Sequence, residues 1–596
     1  MEHRDEFGWQ KLLQYGLISG IVVVYLCLVG MVETFHERDV ISGTLSLGEG
    51  LPVALSLGRA LIVVISLGMG YITASKAKGD VGKAIGGSLI VGVIASLISV
   101  SFVTLIEPLN MRGMFVNASP ALVDILTFSQ ESLTTGLLIF SGLVIGLHFL
   151  GAIIDILPSM VRRFVVVGLS AVLLIGMLQE LLEVILARSD ITKPLGDLLF
   201  ARSGLSIQGT LIVFFVFGLL NLLWTTQGSN IGKQVSKLPP PQQRVISWGT
   251  ILIGVAILAY LPQIVGPYIS QILVLVGLYM LMGLGLNIEI GLAGLLDLGF
   301  VGFFAIGAYI VALFTSTTDI GLSSVMAGEA TGDSFASFWV AIPVAVAVSA
   351  MAGIFLGIPV LRMRGDYLAI VTLGLAEIIR ILVLSDFLRP LLGGAQGILN
   401  IPKPNVSDIP VIGWFVDLPI KAPGDFYYLI VLGCLIIAFI AWRLQNARIG
   451  RNWMAIREDE DVAEAMGINL IASKLLAFGI GAAFAGLAGA IFAAQIGSVF
   501  PHSFGLIVSI NVLSLVIIGG VGSIPGVVIG AFALVGLPEL LREFAEFRLL
   551  IYGMLLVVMM LVKPEGFWPS EVNRRELTES EEDIGVAVPA PAPSSK

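Results

Sequence analysis

The sequence is poor in the residue types that soluble enzymes use for chemistry. Its 596 residues include only two cysteines and four histidines, and only 13% are charged. A soluble domain carries about a quarter charged residues. Cys27 and Cys434 both sit inside apolar blocks, which argues against a disulfide framework or a cysteine-based metal centre. His3, His36, His148 and His502 are scattered, so no cluster suggests a metal or a catalytic centre, and no cofactor is expected. There is no G-x-x-x-x-G-K-[ST] loop, so ATP hydrolysis by that route is excluded. No basic block points to nucleic acid, and no sustained strand-like alternation points to a β-barrel.

What is present is apolar sequence in long blocks. Hydrophobic residues make up 57% of the chain and the mean hydropathy is +0.98. Stretches such as 16–32 and 475–494 approach the roughly 20 residues that a helix needs to cross the bilayer core. Backbone groups in lipid must be satisfied internally, and without strand patterning helices are the remaining solution. The expected fold is an all-α integral membrane protein, a polytopic helical bundle of about 16 spans (14–16) running from 12–32 to 547–562. Spans are expected at 51–75, 246–264, 270–288, 296–316 and 368–386, among others. The pair 506–520 and 521–537 reads as two spans, one broken helix or a re-entrant element. The first apolar segment follows Lys11 without a small-x-small cleavage site and reads as a retained span.

Basic residues suggest orientation. Lys76, Lys78 and Lys83, then Arg162 and Arg163, Lys233, Lys237 and Arg244, and Arg443, Arg448, Arg451 and Arg457 fall on alternate loops. That is the positive-inside pattern with both termini cytoplasmic. Arg188, Lys193, Arg202, Lys403 and Lys421 are exceptions on long loops, where the rule is weak.

Four regions follow. Residues 1–225 form an N-terminal membrane region of about six spans. Residues 226–245, with Pro239, Pro240 and Pro241, read as a cytoplasmic linker. Residues 246–565 form a second membrane domain, and 566–596 an acidic, Pro-Ala tail expected to be disordered. The net charge of -9 owes much to that end of the chain, with Glu571, Glu576, Glu579, Glu581, Glu582 and Asp583.

The most informative polar stretch is 448–470, placed between apolar blocks. It carries Arg457, Glu458, Asp459, Glu460 and Asp461, then Glu464-Ala465-Met466-Gly467. A short charged helix ended by Gly467 would lie on the cytoplasmic surface, either as an ordinary solvated loop helix or as a docking element. Glu377 and Arg380 stand three residues apart in an apolar run, on one helix face. Ionisable groups inside a span face a bundle interior or a water path, so the pair either lines or gates a path or ties helices together. Asp297 and Asp366 precede apolar runs and read as helix N-caps; the alternatives are an ammonium contact for Asp297 and a gating contact for Asp366. Gly519, Gly520, Gly522 and Gly526 permit close helix approach or a broken helix, as packing or as substrate contact.

Four stretches carry a resemblance: GLNIEIGLAGLLDLGFVGFFAIGAYIVALF from 285, RMRGDYLAIVTLGLAEIIRILVL from 362, RIGRNWMAIREDEDVAEAMGINL from 448 and IIGGVGSIPGVVIGA from 517. Over about 270–565 the chain resembles the LivM-type permeases of branched-chain amino acid ABC importers. The third stretch looks like the coupling motif of such permeases, with Glu464, Ala465 and Gly467 at matching positions and Met466 in place of a second alanine. The resemblance implies that this segment docks on an ATPase subunit. It further implies a homologous second permease, two cytoplasmic ATPase subunits, an extracytoplasmic binding protein, and residence in a bacterial or archaeal cytoplasmic membrane. The external loop departs from the family's Gly-Gly-Pro-Asn-Gly-Ile and reads Gly393-Gly394-Ala395-Gln396-Gly397-Ile398. Residues 1–225 lie outside the resemblance and read as a scaffold or a partner interface. The competing expectations are an importer of the same build for urea, a short amide or another amino acid, and a stand-alone secondary transporter.

Overall fold

The computed structural model describes residues 8–45, 51–77, 79–188, 192–201, 203–236, 239–327, 334–360, 366–409, 419–540 and scattered positions between 547 and 569. Among them, eleven helices are long and apolar enough to cross a membrane, and three more apolar helices are shorter. The chain divides into two compact units, Met1–Gly254 and Val255–Lys596.

The first unit holds α1 (Trp9–Val29), a hairpin of β1 (Asp39–Leu45) and β2 (Leu51–Ser56), α2 (Leu57–Ser75), α3 (Val81–Ile106), α4 (Leu133–Ile156), α5 (Ser159–Met177) and α6 (Ile207–Ser236). The hairpin corrects the expected start of the span 51–75: 51–56 is an antiparallel strand, and the helix starts only at Leu57. Ser56 is the physical boundary, since its hydroxyl caps the helix by accepting from Arg59 N (3.4 Å). Helices α1 to α4 pack through small residues. Gly16 and Gly20 of α1 sit under Ile94 and Ile98 of α3, and Gly70 and Gly92 leave room for His148 on α4. His148 is fully buried, with Nδ1 donating to Val144 O (2.8 Å) and Nε2 accepting from the Ser19 hydroxyl (3.1 Å). In membranes close backbone approach replaces the hydrophobic effect as the source of helix adhesion. Helices α5 and α6 form a separate pair, in which Gly168 faces Phe214 and Gly218 faces Phe164.

In the second unit the main elements are α7 (Pro240–Leu286, which begins ahead of the unit), α8 (Phe300–Thr315), α9 (Phe338–Val360), α10 (Asp366–Leu384), α11 (Pro423–Gln445), α12 (Arg448–Glu458), α13 (Glu460–Ala465), α14 (Leu470–Ile496), α15 (Leu506–Gly519) and α16 (Ile524–Ala531). The expected spans 246–264 and 270–288 are two helices meeting at Gly266, whose φ of 85° breaks the run between Pro262 and Pro267. Helix α14 is the axis of the core. It is rich in glycine and alanine, and it packs heavily on α8 and α9. Gly489 abuts the backbone of Phe304 and Ala308, Gly486 abuts Ser349, and Gly479 takes Ile354. Rings fill the remaining space, with Phe303 edge-on to Phe478 and Phe304 against Phe492 and Phe504.

A side chain at Gly489 would collide with the Phe304 carbonyl, which is backbone and cannot swing aside. Gly489→Ala is therefore expected to destabilise the protein in detergent by about 1–3 kcal/mol. Gly142→Ala, at a helix position open to within 4 Å, should be neutral or stabilising by up to about 1 kcal/mol. Thermal denaturation of the two variants checks the pair.

Candidate functional site

The polar stretch at 448–470 folds as two short helices, α12 and α13, with a break at Asp459. Asp459 makes the break and repairs it: its Oδ1 accepts from Asp461 N and Val462 N, both at 2.9 Å, and so caps α13. Gly467, at φ +87°, closes the other end. Its N–H donates to Glu464 O (2.9 Å) and Ile468 N–H to Ala463 O (3.1 Å). These two bonds are a Schellman cap, and the left-handed residue it needs is why a glycine stands there. With both ends fixed, α13 presents Asp461, Val462, Glu464, Ala465 and Met466 to solvent and buries Ala463. Glu458 and Asp459 are exposed beside them.

The inner side of this platform is attached to the core at three points. Trp453 is fully buried and donates Nε1 to Ser473 O of α14 (2.8 Å). Lys474 of α14 is 6% exposed and pairs with Glu460 at 2.6 Å. Arg457 Nη1 donates to Gly291 O (2.8 Å), and its stem packs on Gly294. Gly291 belongs to a π-helical turn, Asn287–Leu292, that ends α7. Such turns leave backbone groups free for outside partners. One turn residue reaches further: Asn287 Oδ1 accepts from Gly522 N (2.8 Å).

Asp297 lies just beyond this turn and is 1% exposed. Its Oδ1 accepts from Gly299 N (2.6 Å) immediately ahead of α8, so it shapes the start of that helix, although Gly299 holds the cap position itself. Thr372 of α10 braces the same loop by accepting from Leu298 N (3.1 Å). Glu289 is fully buried against Gly481 and within hydrogen-bonding reach of the Asp297 carboxyl. Neither Glu289 oxygen nor Asp297 Oδ2 has a protein donor. Helices α8, α10 and α14 thus all begin at the platform end of the unit.

The glycine-rich element is a tight helical hairpin. Helices α15 and α16 are joined through Gly520 (φ +123°) and Gly522 (φ +79°), and Gly519 rests on the Gly526 carbonyl. At 1.5 Å per residue α15 is about 21 Å long, short of the roughly 30 Å core. Higher in the unit, Glu377 and Arg380 form a two-pronged pair on α10, with Arg380 Nε at 3.0 and 2.9 Å from the two carboxylate oxygens. Asp366 is the first residue of α10, and its side chain lies outside the described residues.

The structure therefore brings together Arg457, Asp297 and, through Asn287, the glycine hairpin, while Glu377 and Arg380 stand apart. Sequence reasoning missed Glu289, Asn287, Lys474 and Trp453. Glu289 was visible as a lone charge in an apolar block; the other three carried no local signal.

The bundle of apolar helices agrees with the comparisons. Residues 268–562 match the family model described as the permease component of the branched-chain amino acid transport system. The high-affinity branched-chain amino acid permease LivM of Escherichia coli K12 is 39% identical over 377 residues, covering 61% of this chain and 84% of that protein. The chain belongs to the LivM-type permease family. A LivM protein of Methanocaldococcus jannaschii is 24% identical over 51% of this chain and 94% of its own length. E. coli LivH, also a branched-chain amino acid permease, is 32% identical over 21% of this chain and 40% of its own. No solved structure matches. Family membership and the apolar helices make the chain a multi-pass membrane permease subunit.

Three of the four oxygens of Glu289 and Asp297 lack a donor, which makes this the least satisfied spot among the described residues of the core. Glu289→Gln keeps the shape, removes an ionisable group and places an amide donor beside the Asp297 carboxyl. It is expected to raise thermal stability by about 1–3 kcal/mol; a lowered denaturation midpoint would show that the charge itself is required.

Proposed function

We propose that this chain forms the translocation path of an ATP-driven importer for branched-chain amino acids. In this reading it pairs with a homologous permease, two cytoplasmic ATPase subunits and an extracytoplasmic binding protein. It lies in a bacterial or archaeal cytoplasmic membrane, with both termini inside. The chain carries no catalysis of its own; hydrolysis belongs to the ATPase subunits. The observation that carries the proposal is the doubly capped α13, exposed in Asp461, Glu464 and Met466 and bound inward by Arg457, Glu460 and Trp453.

The mechanism follows from those attachments. A rigid, acidic and partly apolar helix suits a groove on a soluble partner. When the ATPase pair closes, the displacement of α13 passes through Lys474 and Trp453 to α14. Through Arg457 it passes to the π-helical turn that holds the starts of α8 and α10. Packed helices shift as rigid bodies, so the ends of three spans move together and open or close the path between them. Arg457, Glu458, Asp459, Asp461, Glu464, Ala465 and Gly467 form the coupling element. Asp297, Asp366, Glu377 and Arg380 line or gate the path, and Gly519, Gly520, Gly522 and Gly526 pack the hairpin that follows Asn287.

The test is leucine uptake into proteoliposomes containing the assembled transporter. Glu464→Lys is expected to lower ATP-dependent uptake at least about tenfold while leaving the chain folded, because a like-for-unlike charge exchange costs more than about 1.4 kcal/mol at a docked surface. Undiminished uptake in that variant would remove α13 from coupling. ATP-driven uptake of urea, an amide or another amino acid, with leucine ignored, would keep the importer and change its cargo.

A further inference from the structure

Glu377 lies eleven residues into α10, about 16 Å along the helix and hence near the middle of a core roughly 30 Å thick. Its side chain is 42% exposed and that of Arg380 32%. An ion pair at that depth is too costly to face lipid, so this side of α10 meets water or protein. Arg380 also lines a small pocket between α8 and α10, together with Gly302, Ala305, Tyr309, Ile379 and Val383. Tyr309 is 5% exposed, and its hydroxyl has no hydrogen-bond partner. Buried hydroxyls without partners are uncommon and call for an explanation. The internal space is about 10 Å³, room for roughly one water.

We infer that Glu377, Arg380 and the Tyr309 hydroxyl form a subsite for the zwitterionic backbone of an amino acid in transit. The inference rests on the importer reading above. An α-amino acid carries a carboxylate and an ammonium a few ångströms apart, and the Glu377–Arg380 pair is its complement with the signs reversed. The substrate carboxylate takes the Arg380 fork and accepts from Tyr309 as the pocket opens, and the ammonium takes Glu377. Two ion pairs replace one, every charge keeps a partner, and no net charge is added at membrane depth. Ile379, Val383 and Ala305 supply an apolar wall for a branched side chain. In the closed pocket the internal pair keeps both charges satisfied between transport events.

The test compares three transporters reconstituted with the same partners: wild type, Tyr309→Phe, and the charge swap Glu377→Arg with Arg380→Glu. Leucine carried per ATP hydrolysed is the readout, because a purely structural role would leave that ratio unmoved. Tyr309→Phe is expected to lower it about tenfold, the scale of one hydrogen bond to a charged group. The swap retains an ion pair and assembly but presents the charges in the wrong order, and should carry less than about a tenth of the wild-type leucine. A wild-type ratio in either variant overturns the subsite. If the swap fails to assemble, Tyr309→Phe decides alone. Failure of the wild type itself to carry any amino acid would instead remove the importer reading.

Discussion

The permease unit depends on how closely other backbones can approach α14. Gly486 and Gly489 put the α8 and α9 backbones against it, and Gly481 admits the side chain of Glu289. In lipid there is no hydrophobic force to press helices together, so contact area at short range must supply the adhesion. A single methyl at such a glycine displaces backbone, and the rest of the unit is built outward from that seam. The buried rings of Phe303, Phe304 and Phe478 fill the gaps that small residues leave.

Polar contacts decide what that seam carries. The platform joins the core by the Glu460–Lys474 pair, by the Trp453–Ser473 bond and by Arg457 on Gly291. The Arg457 bond lands on the π-helical turn, the Trp453 bond on a carbonyl near the start of α14, and the Glu460–Lys474 pair joins two side chains. The hairpin of α15 and α16 is tied to the same turn through Asn287, and Gln445 donates to Gly522 O (3.4 Å) from the end of α11. The platform end of the unit is therefore laced by hydrogen bonds, and so is the opposite end, where Ile398 and Val499 exchange backbone bonds (3.0 and 2.9 Å) and Lys403 donates to Gln495 O (2.6 Å); the contacts along the seam between them are mainly those of small and apolar residues.

Much of this was legible in the residues where local rules apply. Gly467 announces the end of a short charged helix because a C-cap is a property of four or five neighbouring residues, whereas the break and N-cap at Asp459, which divide the stretch into two helices, were not read from it. Glu377 and Arg380 announce a pair because helical spacing places them on one face. The strand 51–56 was not legible: its residues, Leu-Pro-Val-Ala-Leu-Ser, continue directly into the apolar run of α2, and length and hydropathy cannot separate the two. At Gly519 to Gly526 glycine permits two spans, one broken helix or a re-entrant element alike, and the contact of Gly519 with Gly526 shows two arms folded back on each other, which no local pattern announces. Trp453, Lys474 and Asn287 act through partners 20, 14 and 235 positions away, and composition holds no trace of such pairings.

A seam of small residues and a laced end together favour motion of one kind. Helices that meet through glycine and alanine have few interlocked side chains to resist sliding or pivoting, whereas shifting a laced end breaks charged or backbone hydrogen bonds that have no water to replace them. In the proposed coupling, displacement applied at α13 would be passed on at the platform end and taken up along the seam. Thr372 braces only the starts of α8 and α10 to each other, so in that coupling the two helices would part further along, at the pocket that Tyr309, Arg380 and Val383 line.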